Sequence, residues 1–184
     1  MGAEASLPLA TDRSMRLFSG QLPKLSEEIV RCLLENKDIE TEAPKEVVLD
    51  VEAVFANYLE LERQASEKAK DLMASRNIPQ AEFQRAKKLA AEQKGIKVGD
   101  DMLDFLLDQL IEILLHSGNV DEVFAQDHDL RRHMRPTLKK YLEVDEILEN
   151  EIRGKLKHVE EGTRTWEIEY QRIMGDLQRR RGLR

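Results

Sequence analysis

A lone cysteine, Cys32, excludes an intramolecular disulfide. Its counterpart in an internal repeat is Ile113, so it reads as a small buried hydrophobe rather than a redox centre. Long hydrophobic runs are also missing. The longest apolar cluster, Met102 to Leu115, is broken by Asp104, Asp108, Gln109 and Glu112, which excludes a membrane span. Residues 1–14 have neither a basic start nor an apolar run, so no secretory signal is expected there. They read as a flexible leader. Met1-Gly2 with Ser6 fits only the loose myristoylation pattern, without a polybasic second anchor nearby. A Walker loop, GxGxxG, GxSxG and paired CxxC are all absent, so an ordinary enzyme is not expected, nor a cofactor, and the cytoplasm is the default location.

What the chain does contain is enough apolar sequence for a core. At 184 residues, a single folded body buries roughly 70% of the surface its unfolded chain exposes. Two stretches are also near copies: Glu82-Phe83-Gln84-Arg85, closing on Gly95, and Glu169-Tyr170-Gln171-Arg172, closing on Gly182. The likeness extends outward. Leu22, Leu25, Ile29 and Leu33 match Leu103, Leu106, Leu110 and Leu114 at an offset of 81, and Tyr58-Leu59-Glu60 matches Tyr141-Leu142-Glu143 at 83. A repeated unit forms the same supersecondary structure twice. The expectation is an all-α protein of two tandem three-helix units, residues 15–95 and 96–184, related by an approximate twofold and packed as one globular body.

Periodicity places the helices. Leu22, Leu25, Ile29 and Leu33 recur at helical spacing, Pro23 falls in a first turn where amides lack partners, and an end near Asn36 is expected. A second stripe runs Val51, Phe55, Tyr58, Ala65, Ala69, Leu72 and Met73, with Asp50 placed to cap it. Its twin runs Met134, Leu138, Tyr141, Leu148, Ile152, Lys155 and Leu156, where only the leucine-to-lysine exchange breaks the pattern. Pro136 predicts a new helix there, after a short piece over 121–134 that Asp127 helps to cap. Pro79, Phe83, Ala86 and Ala90 form the face of a third helix, and Trp166, Tyr170, Ile173 and Leu177 take those places in the later copy. Gly162 and Thr163 or Thr165 predict a tight corner over 161–165, and Trp166 reads as a core anchor. The helix from Met102 to Leu115 is apolar nearly all round, so it lies at the junction of the units or makes a homodimer contact. The junction is preferred, because a two-unit protein has a seam available.

Met15-Arg16-Leu17-Phe18-Ser19, Asp50-Val51-Glu52-Ala53-Val54, Leu114-Leu115-His116-Ser117 and Glu160-Glu161-Gly162-Thr163 to Tyr170-Gln171-Arg172 are distinctive in combination. In these the chain resembles the bacterial family called domain of unknown function 507, from Met15 to the end. The resemblance implies a bacterial cytoplasmic helical protein and carries over no catalytic residue.

Two groups of residues invite a functional reading. Glu112, His116, His128 and His133 lie among further acids, as weak candidates for a metal site. His128 and His133 are five apart, however, which on one helix separates them by about 140°. Caps and solvated turns account for such clusters more simply. Charge is more informative. Residues 82–97 and 169–184 each carry five basic and two acidic side chains, or +3, while the remaining 19 basic and 32 acidic residues give −13. Helix dipoles, or packing of these arms on acidic second helices, explain part of this. The sharper reading makes Arg85, Arg172, Arg179, Arg180, Arg181 and Arg184 contacts for a protein partner or, as the alternative, for RNA or DNA. An interaction or adaptor module is the expectation; nucleic-acid binding comes second and a metal-dependent enzyme third.

Overall fold

The computed structural model describes residues 14–144, 146–161 and 163–180. Seven α-helices lie among them. Contacts divide the chain into two compact units, Met15–Leu142 and a smaller one built on Glu143–Arg184. The leader's residues 1–13, Gly162, Arg181 and Arg184 fall outside the described residues.

In the larger unit, α1 (Leu22–Glu35) buries Leu22, Leu25, Ile29 and Leu33, and Pro23 sits in its first turn. Its end is closed by two reverse hydrogen bonds, Asp38 N–H to Leu33 O at 2.9 Å and Lys37 N–H to Leu34 O at 3.1 Å, with Lys37 left-handed at φ 58°. The chain then enters a two-residue strand, β1 (Ile39–Glu40). Next comes α2 (Pro44–Arg76), which begins six residues before Asp50 because Pro44 is pre-set for a first helical position. Asp50 is therefore not its cap. Instead Thr41 Oγ1 accepts from Ala43 N–H at 2.9 Å, and the Asp50 carboxylate reaches across the unit to Ser117 and Asn119.

α3 (Phe83–Gln93) packs back on α2, burying Phe83, Ala90 and Ala91. Pro79 lies ahead of the helix and is exposed. α4 (Met102–His116) buries seven apolar side chains and packs on α2 and on α5 (Asp127–Leu142), which covers its oily surface from within the unit. Between them β2 (Glu122–Val123) pairs antiparallel with β1, Ile39 opposite Val123 and Glu40 opposite Glu122. The expected short helix over 121–134 is thus a strand, a turn and the start of α5. Pro136 does not begin a helix but lies inside α5. It is tolerated because Pro136 and Arg132, whose carbonyl loses its usual donor, are both exposed. α1 also packs on α5, so the expected units 15–95 and 96–184 share one core through their first two helices.

The smaller unit is a pair, α6 (Glu146–Lys155) and α7 (Arg164–Arg180). One long expected second helix is thus α5 followed by α6. Leu148, Ile152 and Leu156 are buried, as are Trp166, Tyr170 and Leu177. Thr163 caps α7 by accepting from Trp166 N–H at 3.2 Å. Glu149 is buried and accepts from the Tyr170 hydroxyl and from Arg153 Nε, while Arg153 also grips Glu161 with two bonds of 3.0 Å. A carboxylate so far from water is tolerable only when paired in this way.

One surface contact joins α1 to α5. Tyr141 Oη donates to Glu28 Oε1 at 2.8 Å, and this bond, aided by Lys140, holds the Glu28 carboxyl below its ordinary range against the opposing effect of burial. Burial, and then the same bond, push the Tyr141 phenol up to about 12. The depressed carboxyl stabilises above its unfolded pKa and loses that effect as pH falls through the lower folded value. The raised phenol stabilises below its ordinary pKa of 10 and loses that effect as pH rises toward 12.

Leu106→Ala, at a site with no exposure, is expected to cost roughly 2–5 kcal/mol in urea unfolding, whereas Leu115→Ala, on the exposed end of α4, stays within about 0.5 kcal/mol. Tyr141→Phe is expected to cost about 1 kcal/mol near neutral pH. The deficit should shrink below about pH 4 and again above about pH 11, as unfolding curves across that range will show.

Candidate functional site

Two stretches of similar sequence supply basic arms, and the fold treats them differently. On α3, cations turn toward α2: Lys87 Nζ lies 2.8 Å from Glu62, where both side chains are largely sheltered, and Lys94 donates to Gln64 at 2.8 Å. Lys68 of α2 reaches Gln93 in return. Packing on the second helix thus engages two of the first arm's five cations, Lys87 and Lys94. Arg85, Lys88 and Lys97 are more than half exposed, Arg85 the most at 82%, and their nearest carboxylates, Glu82, Asp101 and Glu92, lie 3.8–3.9 Å away and not on α2.

The second arm faces an open groove. Along α7, beside the end of α6 and the turn after it, lies a cavity of about 550 Å³, within the roughly 300–1,000 Å³ typical of ligand sites. Leu156, Val159, Ile173 and Leu177 give it an apolar lining, and Lys155, Arg172 and Arg180 bring positive charge to it. Glu169 and Asp176 line it too, but both are engaged from their own helix. Arg172 Nη2 lies 2.6 Å from Glu169, which raises the guanidinium pKa further, and Arg179 pairs with Asp176. Arg172 and Arg179 nevertheless remain mostly exposed, as does Arg180. Arg172 and Arg180 thus share one groove, Arg179 stands beside it, and Arg85 belongs to the other unit. Arg181 and Arg184 lie outside the described residues.

Residue size differs between the two helix pairs. Ala86 and Ala90 let α3 lie close against α2, with Ala90 fully buried. Ile173 and Leu177 stand at the matching sequence positions on α7 and line the groove. Length differs too. At 1.5 Å per residue, α7 is about 25 Å long and α6 about 15 Å, so α6 cannot cover it along its whole length. Lys155 was not among the residues picked from sequence. Its signal was present, since it is the one lysine in a stripe whose first copy has Leu72.

The histidines do not gather. His116 Nδ1 donates to Glu112 O of its own helix at 2.8 Å, so the pair is joined through the backbone. His128 is 69% exposed beside Asp129. His133 donates from Nδ1 to Asp38 Oδ2 at 2.7 Å, across the unit and away from His128. Among the described residues no group of three or more His, Cys, Asp or Glu side chains is placed to hold a metal ion. Cys32 is half-buried and its thiol donates to His133 O at 3.4 Å. Burial, then the Asp38 charge, push the thiol pKa up, opposite to what a nucleophile requires.

Among the described residues no helix is long and apolar enough to cross a membrane. No curated protein matches the chain. A family model described as "Protein of unknown function (DUF507)" matches residues 15–183, nearly the whole length, and the chain belongs to that family.

Proposed function

We propose that this protein is a non-catalytic interaction module of the bacterial cytoplasm, an adaptor that receives another protein in the α6–α7 groove. The observation that carries this reading is the groove itself, an apolar floor flanked by exposed arginines. Arginine beside buried aromatic and aliphatic side chains is the composition of interface hot spots. Ile168, 56% exposed on α7, adds apolar surface to the same helix.

The proposal includes an internal duplication. Shifting β1 by 83 residues gives β2, and the ladder they form maps onto itself: Ile39 opposite Val123 becomes Glu122 opposite Glu40. The packing of α1 on α5 likewise becomes that of α4 on α2. Asp38 with His133 corresponds to Asn119 with Asp50, at offsets of 81 and 83. These correspondences support an approximate twofold within Met15–Leu142.

Affinity purification of the full chain from its native cells tests the adaptor reading. A protein partner that survives nuclease treatment, and that is lost from the Ile173→Asp variant while Arg85→Ala retains it, is the expected result. Recovery of nucleic acid alone, seen as a raised 260-to-280 nm ratio that falls in high salt, would replace this reading with the nucleic-acid one.

A further inference from the structure

We infer that the outer part of the α2–α3 hairpin, residues 69–87, opens as a separate element while the rest of the larger unit stays folded, and that the Lys87–Glu62 ion pair is the latch that holds it shut. Length comes first. α2 runs 33 residues, against 14 for α1 and 15 for α4. Its last residue in the main core is Ala65. At about 1.5 Å per residue the helix continues roughly 16 Å past that point to Arg76, and α3 packs back along it.

Burial changes along the hairpin at the same place. Over residues 69–87 only Ala69, Met73 and Phe83 are buried. With Ile78 and Ala86 packed against them they form a cluster of their own, separate from the core that holds Ala65, Ala90 and Ala91. α4, by comparison, buries seven side chains in 15 residues, all of them in that core. Local opening costs least where few apolar side chains lose their neighbours and the backbone hydrogen bonds already lie near solvent. Helical preference alone does not hold α3 in place, because its 11 residues fall below the length, about 12–15, at which isolated helices persist in water.

The ion pair sits at the border. Glu62 precedes Ala65 on α2, within the stretch that the core holds, whereas Lys87 lies on the outer side of Ala90 on α3. Their 2.8 Å contact therefore ties outer α3 to inner α2, and with side chains only 13% and 24% exposed it is sheltered from solvent. Opening the hairpin as far as Lys87 breaks this contact. The other cross-links, Lys94 to Gln64 and Lys68 to Gln93, lie on the inner side and stay made. Removing Lys87 leaves the Glu62 carboxylate sheltered without its partner in the closed form, a penalty that opening relieves. What opening releases is apolar: Met73 and Phe83, which the closed hairpin keeps from solvent.

Hydrogen exchange of the full chain, followed by mass spectrometry without denaturant and in low urea, tests both parts. Peptides covering residues 69–87 are expected to exchange about tenfold or more faster than those of α4, at rates that low urea leaves unchanged because local opening exposes little surface. Lys87→Met should speed exchange over 69–87 by a further factor of about ten and leave α4 within about twofold of its original rate. Phe83→Leu, which keeps the ion pair, should speed the same stretch alone, and it stands in if Lys87→Met does not fold. Protection of residues 69–76 equal to that of 51–58 would overturn the separate element, as would acceleration of α4 to the same extent in either variant. A Lys87→Met chain that folds and exchanges over 69–87 as the unaltered chain does would overturn the latch.

Discussion

Asp38 is the residue on which the larger unit turns. Its amide closes α1, its carbonyl accepts from Phe124 N–H at 2.8 Å and Ala125 N–H at 3.3 Å, and its carboxylate, 5% exposed, holds His133 of α5. One residue thereby links the end of the first helix to the start and middle of the fifth. Apolar burial supplies most of the stabilisation of such a core but is non-directional. It does not by itself decide how one helix pair slides against another. The hydrogen bonds from residues 38–42 and Asp50 to residues 117–125 make that decision, since each is satisfied in a single register. Removing one partner there leaves a buried polar group unpaired, which costs more than the bond itself contributes.

This explains what could be read from the sequence and what could not. The α1 and α4 patterns are dense enough in leucine and isoleucine to locate both helices, and Pro23 fits its position without conflict. Asp50 misled because an aspartate ahead of an apolar stripe is what a cap looks like. Only the tertiary contact with Ser117 and Asn119 shows its other use. Pro136 misled for a related reason: a proline stops a helix when its surroundings cannot satisfy the freed carbonyl, and exposure is not written in the local sequence. A ladder of two residues is too short to leave any alternation, so β1 and β2 left no periodic trace. The division at Leu142 is equally hidden, because residues on both sides continue one helical stripe.

The groove was half legible. Bulk at Ile173 and Leu177, and lysine at position 155, stand out when the repeats are set side by side. What sequence lacks is the length of the helix opposite. α2 runs 33 residues and meets α3 along its face, whereas α6 stops after 10. Equal charge on two arms therefore has unequal consequences. Lys87 finds its carboxylate across on the long α2, whereas Arg172 and Arg179 find theirs on their own helix.

The two arms also differ in what substitution would cost them. Lys87 and Glu62 are 13% and 24% exposed, so losing either leaves a sheltered charge without its partner. Arg172 and Arg179 are more than 60% exposed, and exposed ion pairs of this kind contribute little to folding. Residues whose charge matters little to stability are free to be kept for contact with something else. Arg172 and Arg179 of α7 meet that condition, as do Arg85 and Lys88 of α3, whereas Lys87 does not. Two similar stretches of sequence are thus placed differently, with Ala90 of α3 fully buried in a core and Ile173 of α7 lining a groove.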